Sequence, residues 1–171
     1  MKERQGLVTF QGNPLTLLGD SVNPGMVVPK VTLTSNDLNV VTLDQYQDKV
    51  LILATVPSLD TSVCSEETKR FNQEAESLPG QVTLVVVSMD LPFAQQRWAQ
   101  EHNATNVTLL SDHKEASLGQ GFGVLIKELR LLARAVFVID TGGKVTYMEL
   151  VKEMTDPPNY EAALKAAREA V

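Results

Sequence analysis

Residues 50–56 read Val-Leu-Ile-Leu-Ala-Thr-Val and stop at Pro57. A strand with one wet face alternates apolar and polar residues. A run this continuous predicts a strand covered on both faces, as inside a parallel sheet. Residues 81–87, Gln-Val-Thr-Leu-Val-Val-Val, repeat the pattern. Between the two runs Phe71, Ala75 and Leu78 recur at helical spacing, and Leu78-Pro79-Gly80 is a stop signal. Two covered strands with a helix between them commit the chain to an α/β architecture.

The remaining segments attach to that unit. Residues 8–10 and 15–18 flank Gln11-Gly12-Asn13-Pro14 and predict an N-terminal β-hairpin. Residues 31–34 and 39–43 predict two short strands. Pro92 opens a helix over residues 93–102. A third strand follows at 107–110, then a short helix at 114–121 closed by glycine. Residues 125–132 predict a loop or an extended segment. Residues 135–140 and 145–150 predict an antiparallel hairpin through Thr141-Gly142-Gly143-Lys144. Tyr160, Ala163, Leu164 and Ala167 pattern a terminal helix over 159–171. The 171 residues suffice for one domain with a full core.

The only cysteine, Cys64, sits where the first covered strand hands over to its helix. The first turn of a helix carries unpaired N–H groups and the positive end of the macrodipole, and both favour a thiolate over a thiol. A lone cysteine is more often a small buried hydrophobe. Here its neighbours Asp60, Thr61, Ser62 and Ser65 are polar, Pro57 closes the strand, and Thr61 can bring a hydroxyl to the sulfur.

Pro57, Thr61 and Cys64 spell Pro-x-x-x-Thr-x-x-Cys, and this resembles the active-site signature of the peroxiredoxins. Glu67-Thr68-Lys69-Arg70-Phe71-Asn72, Ser88-Met89-Asp90-Leu91-Pro92-Phe93-Ala94-Gln95 and Ala133-Arg134-Ala135-Val136 narrow the resemblance to the bacterial thiol peroxidase branch. It runs over nearly the whole chain. It implies a thioredoxin-like fold with an N-terminal β-hairpin, no cofactor, and a peroxidase reducing alkyl hydroperoxides and hydrogen peroxide. It implies Cys64 as nucleophile and Arg134 as the cation that holds the thiolate and hydrogen-bonds the peroxide. Thr61 would bond the peroxide and sulfur, Pro57 would shield the sulfur, and the N–H groups of Val63 and Cys64 would complete the oxygen nest. Glu67 reads as a structural partner for an arginine. Thr61 could equally be only a helix cap, and Arg134 could pair with any nearby acid.

One departure matters. The branch carries a second, resolving cysteine after an aromatic residue; here the aromatic is Trp98 and the next residue is Ala99. Whether by replacement or by descent, this chain cannot form that internal disulfide. Oxidised Cys64 stops at a sulfenic acid, meets an outside thiol, or overoxidises. Recycling by a thioredoxin-type reductant is the expectation for a parent enzyme, together with a homodimer. Phe93, Trp98 and Leu125 are candidates for an apolar substrate collar. A non-enzymatic redox sensor using the same cysteine stays open. A thiol–disulfide oxidoreductase is disfavoured, because Cys64-Ser65-Glu66-Glu67 lacks the second cysteine such enzymes use.

Charge and composition narrow the partners. The net charge of −6 argues against nucleic acid and against an anionic membrane surface. No apolar run approaches membrane-spanning length, and the N-terminus has no signal-peptide core. A single free thiol fits a reducing cytoplasm. His102 and His113 lie too far apart for a metal-ligand pattern.

Overall fold

The computed structural model describes residues 1–171 throughout. The chain folds into two sheets and four α-helices. In order these are β1 (Glu3–Phe10), β2 (Asn13–Leu18), β3 (Thr32–Thr34), β4 (Val40–Thr42), β5 (Val50–Thr55), α1 (Ser62–Ala75), β6 (Val82–Ser88), α2 (Pro92–Glu101), β7 (Thr108–Ser111), α3 (Ser117–Gly121), β8 (Leu125–Ile126), β9 (Ala135–Ile139), β10 (Val145–Leu150) and α4 (Tyr160–Glu169).

The main sheet has the order β10-β9-β5-β6-β7-β3-β4, and a small sheet has the order β1-β2-β8. The two apolar runs lie side by side and parallel at its centre, Val50 opposite Val82 through Thr55 opposite Val87. β9 runs antiparallel along the other side of β5, with Ala135 opposite Thr55. Their continuity is explained by burial on both faces. Leu51, Leu53, Val85, Val87, Ala135 and Phe137 point into one apolar cluster, shared with Leu17 of the hairpin and with Leu118, Phe122 and Leu125. The alternate residues Ile52, Ala54, Leu84, Val86, Val136 and Val138 point into the other, with Cys64 and Phe71 of α1, Trp98 of α2 and Leu164 of α4. A period of two thus sorts every central strand between a hairpin side and a helix side.

Three boundaries depart from the sequence pattern. β1 starts at Glu3, well before the apolar residues. Gly6 (φ +78°) takes the strained position where the register with β2 slips between Gln5 and Val8, and an edge strand needs no apolar signature. α3 is only five residues long and not the eight expected. Ala116 is left-handed (φ 51°) and the Asp112 carboxylate receives the N–H groups of Leu118 and Gly119, so the helix cannot start earlier. Leu43–Tyr46 forms a 3₁₀ turn, taking Leu43 from the end of the expected strand and giving the connector over 44–46 a helical turn. Residues 125–132 contribute a two-residue strand, β8, at the edge of the small sheet.

Candidate active site

The C-terminal ends of β5 and β6 and the start of β9 meet at one edge of the main sheet. Pro57, Cys64, Glu67 and Arg134 gather there. Pro57 leaves β5 and is buried. Val56 N–H donates to Val87 O at 3.0 Å, so the chain leaves the sheet one residue beyond β5. A short turn then leads to Thr61, the N-cap of α1, which places Cys64 in the first helical turn. The first helical bond is Ser65 N–H to Thr61 O at 3.0 Å. The N–H groups of Val63 and Cys64 therefore have no intrahelical acceptor.

Arg134 reaches the sulfur from β9. It precedes Ala135, the residue opposite Thr55, so the pairing of β9 with β5 delivers it to this edge. Its Nη2 donates to Cys64 Sγ at 3.3 Å and to Met154 O at 2.8 Å. Its Nε donates to Met154 O at 3.2 Å and its Nη1 to Glu67 Oε1 at 2.9 Å. Arg134, Glu67 and Cys64 are all buried. Glu67 stands three residues after Cys64 on α1, so both point at the same guanidinium. Burial raises the Glu67 carboxyl to about 7 even though Arg134 pulls it down. Burial lowers the guanidinium of Arg134, but Glu67 and Cys64 outweigh it, and the net shift is upward. Glu67 Oε2 has no hydrogen-bond partner.

Thr61 is placed differently from its expected orientation. Its Oγ1 donates to Ser58 O at 2.8 Å and it is exposed; it makes no capping bond and none to the sulfur. The turn it belongs to is held from β6: Ser58 Oγ donates to Asp90 Oδ1 at 2.7 Å and Leu59 N–H to Asp90 Oδ2 at 2.8 Å.

Of the three collar candidates, Trp98 is buried and its Nε1 donates to Ser65 Oγ at 3.0 Å, tying α2 to the first turn of α1. Phe93 is exposed at the start of α2. Leu125 is wholly buried in the cluster across the sheet from Cys64; the collar reading does not hold for it, because β8 pairs with β2 in the small sheet on the hairpin side. Ala99 is half-buried against the Cys64 cluster.

Ser58, Asp90 and Met154 were not singled out. Asp90 had a signal, a carboxylate directly after a covered strand. Met154 had none, since it contributes only a backbone carbonyl. A cleft of about 400 Å³ lies at the opposite end of β5, between Val28, Val31, Leu43, Tyr46 and Ile139. It is remote from Cys64 and takes no part in this chemistry.

Fold and site together define a thioredoxin-like α/β protein whose single thiol is held against a buried guanidinium. The chain belongs to the Redoxin family, whose model matches residues 23–164. It is 50% identical over 164 residues to a thiol peroxidase of Halalkalibacterium halodurans, covering 96% of this chain and 98% of that protein. It is 48% identical over 163 residues to a thiol peroxidase of Listeria monocytogenes, covering 95% and 98%. A peroxiredoxin-like protein from Aquifex aeolicus superposes with a TM-score of 0.91 at 40% identity over 100% of both chains.

Proposed function

We propose that the chain, acting as one unit over residues 1–171, reduces hydroperoxides with Cys64 as the nucleophile. The thiolate attacks one peroxide oxygen and the O–O bond breaks. The other oxygen leaves as hydroxide or alkoxide and takes up a proton, and the sulfur is left as a sulfenic acid. Arg134 favours the thiolate as the facing cation and offers donors to the oxygens as charge moves onto them. The free N–H groups of Val63 and Cys64 add two more donors. Pro57 covers the sulfur. Thr61 turns its hydroxyl toward the peroxide after giving up Ser58 O. The observation that carries this reading is the 3.3 Å contact from Arg134 Nη2 to Cys64 Sγ in a buried pocket.

Ala99 removes the internal route back. An outside thiol condenses with the sulfenic acid, releasing water, and a second thiol frees Cys64 as a disulfide forms. A thioredoxin-type dithiol supplies both. Hydrogen peroxide and small alkyl hydroperoxides fit a sulfur this enclosed. A homodimer and a cytoplasmic location are part of the same reading; no helix is long and apolar enough to cross a membrane.

Stopped-flow fluorescence of Trp98 on mixing with hydrogen peroxide tests the first step. Oxidation far faster than a free thiol, lost in Cys64→Ser, is expected; oxidation at the free-thiol rate refutes the reading. Ala99 also keeps the sensor reading in view, because oxidised Cys64 has no internal partner. Sustained turnover with thioredoxin excludes it.

A further inference from the structure

Arg134 is held on three sides: by Cys64, by Glu67 and by the carbonyl of Met154. That carbonyl belongs to the Met154–Thr155 peptide, and the N–H of the same peptide donates to Glu153 Oε2 at 2.9 Å. A peptide is planar, so fixing its N–H fixes the direction of its carbonyl. Glu153 lies outside the pocket, on the segment after β10, yet its carboxylate collects four further donors. Thr155 Oγ1 (2.8 Å) joins the peptide N–H on Oε2, as does Gln11 N–H (3.1 Å). Gly12 N–H (2.8 Å) and Thr9 Oγ1 (2.9 Å) bind Oε1. Three of these five donors come from the tip of the N-terminal hairpin. The hairpin grips the segment on both sides of Glu153 as well: Thr9 N–H donates to Lys152 O at 2.6 Å and Met154 N–H to Thr9 O at 2.8 Å.

We propose that Glu153 is a positioning residue for Arg134. Through the Met154–Thr155 peptide it transmits the placement of the N-terminal hairpin to the guanidinium that faces Cys64. The donors of Thr155 and Gly12, with Thr9 behind them, hold the Glu153 carboxyl down to about 2, so it is an anion wherever the protein is folded and active. Five directed donors on one half-buried acid exceed what a surface turn needs, and one of them is the N–H of the peptide whose carbonyl Arg134 uses. The hairpin, outside the central strand–helix–strand unit, thereby becomes part of the catalytic apparatus.

The inference rests on the reading that Arg134 acts on peroxide at Cys64. Its consequence is selective. Without Glu153 the guanidinium stays near the sulfur, tethered by Glu67, but loses the carbonyl that aims Nη2. Charge at the site survives and direction does not. Peroxide chemistry depends on direction, since a misplacement of ~1 Å costs up to ~10²-fold. Alkylation of Cys64 by iodoacetamide, a neutral reagent that loses iodide and has no O–O bond on whose oxygens charge develops, depends on the thiolate and not on the aim of the guanidinium.

The experiment measures both rates, by stopped-flow with hydrogen peroxide and by iodoacetamide labelling, in Glu153→Ala, Glu153→Gln, Thr155→Val and Arg134→Lys. In Glu153→Ala the peroxide rate is expected to fall ~10- to 100-fold with alkylation within ~3-fold. Glu153→Gln keeps one carbonyl oxygen for the hairpin and loses the acceptor for Thr155, so it should fall between, ~5-fold. Thr155→Val should lose ~2-fold. A lower melting temperature with the ratio of the two rates unchanged overturns the proposal, because a purely structural clamp gives that result. If Glu153→Ala does not fold, the Gln and Val variants decide, and an unchanged ratio in both overturns it. If Arg134→Lys oxidises normally, the underlying reading of Arg134 fails. If Arg134→Lys is slow and the Glu153 variants are normal, only the positioning role fails.

Discussion

Glu67 and Asp112 are both buried carboxylates beside the edge of the main sheet where β5, β6 and β7 end, and burial raises both, to about 7 and about 6. They differ in what satisfies them. Asp112 receives the N–H groups of Leu118 at 3.0 Å and Gly119 at 2.8 Å, one on each oxygen. These backbone donors turn the chain from β7 into α3, and nothing reactive lies among them. Glu67 has one oxygen on Arg134 and one with no partner, and it shares that guanidinium with a sulfur. A fully satisfied buried acid is a structural brace. An under-satisfied one, sharing its cation with a nucleophile, marks where the fold has given up stability for chemistry.

The comparison can be broken most easily at Arg134. Arg134→Ala is expected to slow peroxide oxidation of Cys64 by ~10²- to 10³-fold, as for loss of one oxyanion donor, while Asp112→Asn leaves the rate within ~2-fold. Stopped-flow with both variants checks this; a comparable loss at Asp112 would erase the distinction. Stability should separate them less sharply. Arg134→Ala strands the Glu67 charge and costs about 3–5 kcal/mol, and Asp112→Asn, which aims an amide N–H₂ at backbone donors, about 1–3 kcal/mol. Urea unfolding followed by circular dichroism measures both.

pH sharpens the contrast further. A carboxyl raised on folding binds more protons folded than unfolded between its two pKa values, so stability falls as pH rises through that window. For Glu67 the window runs from 4.5 to about 7, and for Asp112 from 3.8 to about 6. The melting temperature should therefore decline as pH rises from about 4 to 7. Glu67→Gln should flatten the upper part of the decline, by ~2–4 °C per kcal/mol removed. An identical slope in wild type and variant would mean that Glu67 does not titrate there. The smallest effect belongs to Trp98→Phe, which loses the bond to Ser65 Oγ and about 0.5–1.5 kcal/mol; denaturant unfolding resolves it.

The scaffold was largely legible because its central strands are buried on both faces, which leaves continuous apolar runs at 50–56 and 81–87. Cys64 was legible for a different reason, as a cysteine at a helix start, whereas Glu67 and Arg134 were legible only through the family resemblance of the blocks that hold them. Other features left no trace. Whether the Thr61 hydroxyl turns toward the sulfur or toward Ser58 O is a rotamer, and no spacing encodes it. Met154 works through its carbonyl, which every residue owns. β1 begins in polar residues because an edge strand is held by its ladder bonds. Leu125 looked like any other apolar loop residue, and only pairing with β2 turned it away from the sulfur.

The sulfur has no exposed surface, so the protein meets its two reactants on unequal terms. A peroxide is a few atoms across, and the jostling of side chains around Pro57 is enough to admit it. A protein dithiol is far too large for that, and under the proposed recycling it would reach the sulfur only where the first turn of α1 parts from Trp98. Scavenging would then be governed by how much peroxide is present, and regeneration by how often one helical turn frays.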